Sequence, residues 1–389
     1  MGLASKLDWA MGLKRKFRAA QAQSGKSVAT QIGEIWRLYR EAEHFGIDDY
    51  FDYRVYANDW RGEQAAVAGW RMLYWLDDCL NPKPWRNVVY DKLAMYSVML
   101  ASGLPIPNNV AVFQRHGRSF QGARNYTEPA ELAAALRGDF PYPCFVKPVY
   151  GDVGAGALAI ARYDAASDSL VLTNGETRPV DGFIASLAER RQFVQPIYGH
   201  LFQELMNQHA SLVPVSGPRI ASVRIVVLMH DEGPQPISAS WKIIVGNNMG
   251  DNYDHGRSGN LWAAVELATG QVERVVHGHG VDQVRYTHHP ESGIPLIGLQ
   301  LPDWKEAMAL VMRGAHAFPM LRFQHWDVAL TDQGPRILEV NVTGGIDIVQ
   351  YAAGKGLYDQ TLRAFVAKYG LLKGKAPSPL VPGLVPAGS

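Results

Sequence analysis

Two short apolar segments near the carboxyl end of the chain constrain its fold most. Residues 326–330 (Trp-Asp-Val-Ala-Leu) and 337–341 (Ile-Leu-Glu-Val-Asn) both have strand character, and a turn-forming Thr-Asp-Gln-Gly-Pro segment separates them. This spacing predicts a β-hairpin. Because side chains two positions apart lie on the same face of a strand, Glu339 and Asn341 should project together towards Asp327.

Asp327, Glu339 and Asn341 would bring two carboxylates and one amide oxygen together. Mg²⁺ prefers hard oxygen ligands and keeps coordination positions for water and phosphate, so this trio predicts a magnesium site, with Mn²⁺ as an alternative ion. Zinc would favour Cys and His. The opposing interpretation is that Asp327 caps a turn while the other two lie on a solvated strand edge, and the trio alone does not decide between them.

A glycine-rich segment follows a strand that ends in a lysine. Lys147 closes the strand-like residues 144–147, and Gly151, Gly154 and Gly156 come directly after it. A lysine supplies a point charge for phosphate, and glycines let backbone amides approach an anion, so this segment predicts a mobile lid over a nucleotide. An ordinary glycine-rich hairpin with Lys147 in solvent is the alternative.

Polar residues interrupt three further apolar strands. Gln203 and Glu204 lie in residues 201–205, where the strand end could meet an adenine edge. Arg224 and Lys242 lie in apolar strands where an unpaired charge is costly, and a bound anion would offset that cost. A merely amphipathic strand and a structural ion pair are the respective alternatives.

Periodicity and turn residues predict a mixture of helices and strands. Helices are expected within residues 5–45 and over 92–101, 129–137, 302–318 and 359–369. Strands are expected over 110–113 (an edge strand), 144–147, 157–162, 201–205, 222–229, 239–245, 262–267, 324–330 and 336–340. The pattern therefore favours α/β layers without an internal repeat.

Composition excludes several classes of protein. A chain of 389 residues with 47% hydrophobic and 19% charged residues can bury a large core in two or three subdomains. A net charge of +1 gives no overall electrostatic attraction for nucleic acid, so we expect no nucleic-acid partner. The chain has only two cysteines, which favours a reducing cytoplasm over a disulfide-rich secreted protein. We also expect no transmembrane segment and no signal peptide. A basic cluster at residues 14–18 could contact a membrane or a partner, although a solvated helix face is favoured.

In this order, the pieces resemble the ATP-grasp superfamily, and more closely its sugar-transfer associated and alpha-L-glutamate ligase-like members. The resemblance rests on Lys92 with the Gly-Leu-Pro-Ile-Pro segment at 103–107, on the motifs above, and on Asp251-Asn252, Ser258-Gly259-Asn260 and Asn341-Val342-Thr343-Gly344-Gly345. It implies an α+β ATP-grasp fold, in which two α+β subdomains sandwich ATP, with an N-terminal helical extension. The expected divisions are 1–85, 86–200 and 201–372, followed by a flexible tail or artificial extension at 373–389.

The resemblance also implies a reaction and a set of residue roles. ATP-grasp enzymes transfer the γ-phosphate of ATP to a carboxylate, and an amine attacks the acyl phosphate to give an amide, ADP and phosphate. The residues that match are Lys92 and Lys147 for the phosphates, Gly151, Gly154 and Gly156 for the lid, Gln203, Glu204 and Leu205 for adenine, Arg224 and Lys242 for catalysis, Asn252, Thr343, Gly344 and Gly345 for the substrate, and Asp327, Glu339 and Asn341 for the metal. Small-molecule carboxylate and amine substrates are expected. A small-molecule kinase and a non-catalytic ATP-binding partner of a sugar-transfer system remain as alternatives, and a homo-oligomer stays open.

Overall fold

The structure, a computed structural model, describes residues 3–151, 154, 156–189 and 196–371. The expected tail at 373–389 lies outside these residues. Contacts within the chain define two compact units. The described residues 3–81, 276–285 and 343–371 form the first unit, and residues 82–275 and 286–342 belong to the second. The domain boundaries given above at 85 and 200 stay a prediction.

Six helices precede the first strand of the described chain, and strands and helices are interspersed after it. The helices are α1 (Leu3–Ser24), α2 (Val28–Glu41), α3 (Ile47–Asp52), α4 (Trp70–Leu80), α5 (Lys83–Tyr90), α6 (Lys92–Ala101), α7 (Pro129–Arg137), α8 (Val180–Leu187), α9 (Val213–Ser216), α10 (Trp304–Ala317), α11 (Ile346–Ala353) and α12 (Gln360–Tyr369). The strands are β1 (Asn109–Phe113), β2 (Arg124–Tyr126), β3 (Cys144–Pro148), β4 (Leu158–Asp164), β5 (Ser169–Leu172), β6 (Thr177–Pro179), β7 (His200–Glu204), β8 (Val223–Met229), β9 (Pro234–Ile243), β10 (Leu261–Val265), β11 (Val272–His277), β12 (Val284–Tyr286), β13 (Phe323–Thr331) and β14 (Gly334–Asn341).

The first sheet has the strand order β2-β1-β7-β3-β4-β5-β6. Cys144, Val146 and Phe202 of its central strands pack with α7 and α8 in one apolar cluster. The prediction that residues 110–113 form an edge strand is wrong, because β1 lies between β7 and β2. The outer neighbour β2 has only three residues, too few for a periodicity to reveal it.

The second sheet has the strand order β12-β11-β10-β9-β8-β13-β14. Its predicted hairpin is present: β13 pairs antiparallel with β14, and Trp326 lies opposite Val340. Helix α10 packs closely on this pair, because a Cβ atom added to Gly314 would lie 2.9 Å from the Trp326 ring. The residues next to Trp326 in the strand therefore face the other side of the sheet.

In the first unit, the segment Gly25-Lys26-Ser27 joins α1 to α2. The Ser27 side chain caps α2 by accepting a hydrogen bond from the Thr30 amide, and Lys26 forms an ion pair with Glu34 at 2.7 Å. This local sequence imitates the end of a phosphate-binding loop but acts as a helix linker. No helix among the described residues has the length and hydropathy needed to cross a bilayer.

Candidate active site

The face of the second sheet opposite α10 carries the predicted metal trio. Asp327 and Glu339 are direct partners across β13 and β14, and His325 is the partner of Asn341. Directly opposed residues of an antiparallel pair lie on the same face, with Cβ atoms roughly 5 Å apart. The hairpin thus brings Asp327, Glu339 and Asn341 to one face, as the sequence predicted.

Two cations hold the carboxylate of Asp327. Arg224 on β8 donates from Nε to Oδ1 at 2.8 Å and from Nη2 to Oδ2 at 2.7 Å, and Lys242 on β9 donates to Oδ2 at 2.8 Å. Only 2% of the Asp327 surface is exposed. The predicted catalytic residues Arg224 and Lys242 therefore meet the predicted metal ligand in one buried network.

The charge state of Asp327 follows from these partners. Burial alone would raise the pKa of the Asp327 carboxyl group, because a charge loses its hydration. The positive charges of Arg224 and Lys242 outweigh burial, so the pKa of Asp327 is held below its ordinary range. Asp327 is consequently ionised at every pH at which the protein would be used.

Glu339 and Asn341 form the second half of the trio. The side-chain amide of Asn341 donates from Nδ2 to Glu339 Oε1 at 2.9 Å. This assignment directs the Asn341 amide oxygen away from Glu339, where it could serve as a ligand. Both side chains are only partly buried, so an ion could reach them from solvent.

The chemistry of these donors fits Mg²⁺ or Mn²⁺. Each carboxylate oxygen has two lone pairs, and Asp327 Oδ1 accepts one hydrogen bond from the part of the chain that the structure describes, which leaves a lone pair that a cation could use. Glu339 and Asn341 add two hard oxygen ligands. Among the described residues, no group of three or more His, Cys, Asp or Glu side chains is placed to hold a metal.

Lys147 approaches the metal trio from the first sheet through Tyr96 on α6. The Lys147 ammonium donates to the Tyr96 hydroxyl group at 2.8 Å, and that hydroxyl donates to the Leu338 carbonyl at 2.5 Å. Leu338 precedes Glu339 in β14. The fully buried Tyr96 side chain therefore links Lys147, a predicted phosphate ligand, to the backbone next to Glu339, a predicted metal ligand. Burial lowers the pKa of Lys147 to about 8, although the negative charge of Glu339 opposes this shift.

The remaining predicted nucleotide residues surround this link. Lys92 begins α6 and donates to the Gly151 carbonyl at 2.9 Å, so it contacts the predicted lid. Gly154 and Gly156 have φ angles of +71° and +76°, a left-handed conformation that favours glycine. Asp152, Val153 and Ala155, the other lid positions, lie outside the described residues.

The three predicted adenine residues point in different directions. Gln203 donates to Asn109 at 2.8 Å and lies beside the Tyr96 hydroxyl group. Glu204 is the next residue of β7 and faces the other side, where it accepts hydrogen bonds from the Asn108 backbone at 3.0 Å and side chain at 2.8 Å. Leu205 follows the strand and is half-buried. Their role in adenine recognition stays a prediction.

The predicted substrate residues fall into both units. Asn252 lies in the loop between β9 and β10, where its carbonyl accepts a hydrogen bond from Asn260 at 2.9 Å. Thr343, Gly344 and Gly345 belong to the first unit, and Gly345, with a φ of +72°, caps the start of α11. Their role in substrate binding also stays a prediction.

Sequence reasoning missed a carboxylate beside Lys242. Asp251 Oδ2 accepts hydrogen bonds from the Ser222 amide at 2.8 Å and from its hydroxyl group, and Oδ1 lies 4.0 Å from Lys242 Nζ. The fully buried Asn260 holds this loop by bonding the Gly250 carbonyl at 2.9 Å. Asp251 and Asn260 both belong to motifs noted above. No local sequence pattern, however, indicates that the loop contacts Ser222, the residue that precedes β8.

A second missed residue is His325, which lies two positions before Asp327 on the same face. Its side chain is fully buried, and neither ring nitrogen has a hydrogen-bond partner among the described residues. Burial, assisted by the positive charge of Arg224, lowers the pKa of His325 to about 3. His325 is therefore a neutral neighbour of the network and adds no charge to it.

Comparison with solved structures finds several enzymes among the similar chains. An L-amino acid ligase from Bacillus licheniformis is 14% identical, with a TM-score of 0.40 over 73% of this chain and 49% of that one. An N5-carboxyaminoimidazole synthase from Aspergillus clavatus is 10% identical, with a TM-score of 0.39 over 74% and 54%. A D-alanine–D-alanine ligase from Bacillus anthracis is 11% identical, with a TM-score of 0.40 over 79% and 77%. The chain thus spans only about half the length of the first two.

The family comparison covers most of the chain. No curated protein matches the sequence. A family model described as sugar-transfer associated ATP-grasp, however, matches residues 75–365, which include every strand of both sheets and also Asp327, Glu339 and Asn341. With its two sheets and this match, the chain has the ATP-grasp fold and belongs to the sugar-transfer associated ATP-grasp family.

Proposed function

We propose that the protein is an ATP-dependent carboxylate–amine ligase, which forms an amide or peptide bond through an acyl phosphate and releases ADP and phosphate. The observation that carries the proposal is the network at Asp327. One buried carboxylate with two cations stands directly opposite Glu339, and Lys147 reaches the same strand through Tyr96. Such an arrangement suits the transfer of a highly charged phosphoryl group.

The proposed roles follow from the charges of the side chains, with acidic groups for the metal ion and basic groups for the phosphates. Asp327, Glu339 and Asn341 would hold Mg²⁺, or Mn²⁺ in its place, which when bound neutralises phosphate charge and orients the transferred group. Lys92 and Lys147 would bind the phosphates, under a lid formed by Gly151, Gly154 and Gly156. The Gln203–Leu205 segment would meet adenine.

Arg224 and Lys242 would act on the reacting carboxylate. Their positive charges lie in a buried network, where they need little reorganisation and act at low dielectric. They would attract the carboxylate oxygen towards the phosphoryl group and stabilise negative charge that develops during transfer. The network needs no covalent protein nucleophile.

The amine and carboxylate substrates are proposed to be small molecules. Asn252, Thr343, Gly344 and Gly345 are the residues proposed to contact them, by analogy with the positions that match the family. Asp251 is proposed as a residue that positions Lys242, since its Oδ1 lies 4.0 Å from the Lys242 ammonium group, which also contacts Asp327. We place the reaction in the cytoplasm, where ATP is available.

A surrogate amine tests the reaction class. The protein is incubated with Mg-ATP, hydroxylamine and one carboxylic acid at a time from a panel, and hydroxamate, ADP and phosphate are measured. The proposal expects hydroxamate and ADP in equal amounts with at least one acid. The Glu339→Gln variant should lose this activity by about 100-fold or more.

Two other outcomes would contradict the ligase. ADP with a stable phosphorylated acceptor, and no hydroxamate, would indicate a small-molecule kinase. ATP binding without turnover on any acid, alcohol or amine would indicate an ATP-binding partner without its own reaction. Glu306→Gln, an exposed change on α10 of the same type, serves as the control and should retain full activity.

A further inference from the structure

Helix α2 exposes an apolar side to solvent. Val28, Ile32, Trp36 and Tyr39 have exposed fractions of 38%, 54%, 65% and 40%. Residues spaced by three and four positions lie along one side of a helix, so these four form a continuous stripe. Leu38 is buried and fixes the other side of the helix against the first unit.

Helix α1 carries two further exposed apolar side chains. Trp9 and Met11 are 39% and 63% exposed, but residues two positions apart lie on different sides of a helix. Only Met11 shares its side of α1 with the exposed Lys14 and Arg18, which follow it by three and seven positions. The two helices are held together, because the Gln31 side chain donates to the Phe17 carbonyl at 3.2 Å and Ala20 is fully buried. We call the α2 stripe together with Met11, Lys14 and Arg18 of α1 the α1–α2 surface.

Positive charge is concentrated on the same two helices. Residues 1–41 contain eight Lys and Arg against three Asp and Glu, whereas the whole chain has a net charge of only +1. Arg15 and Lys16 face the first unit, where they pair with Asp282 and with Asp48 and Asp52. Lys14, Arg18 and Arg40 are exposed.

We propose that the α1–α2 surface binds the anionic surface of a lipid bilayer, independently of the reaction proposed above. Tryptophan and tyrosine favour the headgroup region, where an apolar ring and a polar edge are both satisfied. Lysine and arginine beside them are attracted to anionic headgroups. An amphipathic helix with both features lies in the plane of the interface with its apolar side inserted.

The combination of charge and aromatic residues favours a bilayer over a protein partner. Lysine is depleted at protein–protein interfaces, whereas Lys14 stands one helical turn from the exposed Met11. The apolar stripe also runs along α2 rather than forming one central pocket for an anchor residue. The chemistry of this surface therefore matches an extended anionic layer.

Vesicle flotation with the full chain tests the proposal. We expect binding to vesicles of phosphatidylcholine mixed with phosphatidylglycerol, much weaker binding to phosphatidylcholine alone, and loss of binding at high salt. In the double variant Lys14→Gln/Arg18→Gln, each lost charge should lower the partition coefficient about fivefold. Trp36→Gln should also lower it.

Controls separate lipid binding from general charge and folding effects. Lys305→Gln/Arg313→Gln removes two exposed charges from α10 and should leave the partition coefficient unchanged. Circular dichroism should give the same melting temperature for the parent and for all variants. Absence of binding to anionic vesicles would overturn the proposal, and so would an equal loss in the α10 control. A dimer that Trp36→Gln converts to monomer, without lipid binding, would assign the surface to a second copy instead.

Discussion

The hydroxyl group of Tyr96 joins the lysine of one sheet to the acidic strand of the other. It accepts from Lys147 and donates to the Leu338 carbonyl, and its ring is fully buried. Each of these bonds fixes a residue that the proposed site needs, although Tyr96 itself is not proposed to contact ATP or the metal. Tyr96 is therefore a positioning residue.

The Tyr96→Phe variant should bind ATP less well. Removal of the hydroxyl group frees the Lys147 ammonium to move and leaves the Leu338 carbonyl without its donor, at a cost of about 1 kcal/mol in unfolding free energy. We expect the KM for ATP to rise about tenfold, with a smaller change in kcat. Tyr163→Phe, which removes an exposed bond to Asp168 in the same unit, is the matched control and should not change the KM. Equal KM values for Tyr96→Phe and the parent would contradict this role.

The pKa of Lys147 predicts a pH dependence for nucleotide binding. Burial lowers this pKa to about 8, so the ammonium group of the ATP-free protein loses its proton as the pH rises through that value. The KM for Mg-ATP should therefore increase between about pH 7 and about pH 9. Lys147→Arg keeps its charge in this range, so its KM should not follow the same rise. A parent KM that stays constant would show that Lys147 does not contact the phosphates.

At the scale of elements, the packing of α10 on β13 depends on a glycine. Gly314 lies in the helix, and an added Cβ atom would meet the Trp326 ring at 2.9 and 3.0 Å. Trp326 is fully buried and cannot move aside without disturbing the strand that carries Asp327.

Gly314→Ala should destabilise the protein by about 1–3 kcal/mol, because the overpacking outweighs the gain in helix propensity of about 1 kcal/mol. Gly33→Ala is the matched control, since its added Cβ atom would meet nothing within 4 Å on α2. That variant should be slightly more stable than the parent. Urea denaturation measures both changes, and a stabilised Gly314→Ala would contradict the close packing of α10.

The elements that were predicted well from the sequence are those that depend on residues close together in the chain. Helices α6 and α7 start and end at the predicted residues, because Asp91 caps the first and Pro129 begins the second. The β13–β14 hairpin was recognisable because its strands and turn are adjacent in the chain. Helix α11 and the short strands β2, β5 and β6 were not predicted, since three to eight residues hold too little periodicity.

The contacts that sequence could not predict join distant residues. Tyr96 meets Leu338 across 242 positions, and Ser222 meets Asp251 across 29. The face on which Glu204 lies depends on the register of β7 between β1 and β3, which no single segment encodes. The placement of Asp327, Glu339 and Asn341 on one face was predictable because one hairpin supplies all three, whereas the network around them required the whole sheet.

At the scale of the whole molecule, one buried acid should make stability depend on pH. Asp49 in the first unit is 4% exposed and accepts a hydrogen bond from the Gly46 amide at 2.7 Å. Burial raises its pKa to about 7, although the Gly46 bond opposes the shift. The folded chain keeps this proton up to about pH 7, but the unfolded chain releases it near pH 4, so the unfolding free energy should fall over that range.

Asp49→Asn removes this dependence and keeps an acceptor for Gly46. The difference in unfolding free energy between about pH 5 and about pH 8 should shrink in the variant by up to roughly 3 kcal/mol, measured by urea denaturation. Asp78→Asn, an exposed change on α4, should leave the difference as it is in the parent. An unchanged difference in Asp49→Asn would show that Asp49 is ionised in the folded chain at pH 5.

The central claim is that Asp327, Glu339 and Asn341 hold the metal of bound ATP, and calorimetric titration of ATP with and without Mg²⁺ tests it most directly. The parent should bind ATP at least about tenfold more tightly with Mg²⁺. Glu339→Gln should lose that difference while the exposed control Glu306→Gln keeps it. If Glu339→Gln binds Mg-ATP as tightly as the parent and turns it over at the same rate, the metal site is not at this hairpin.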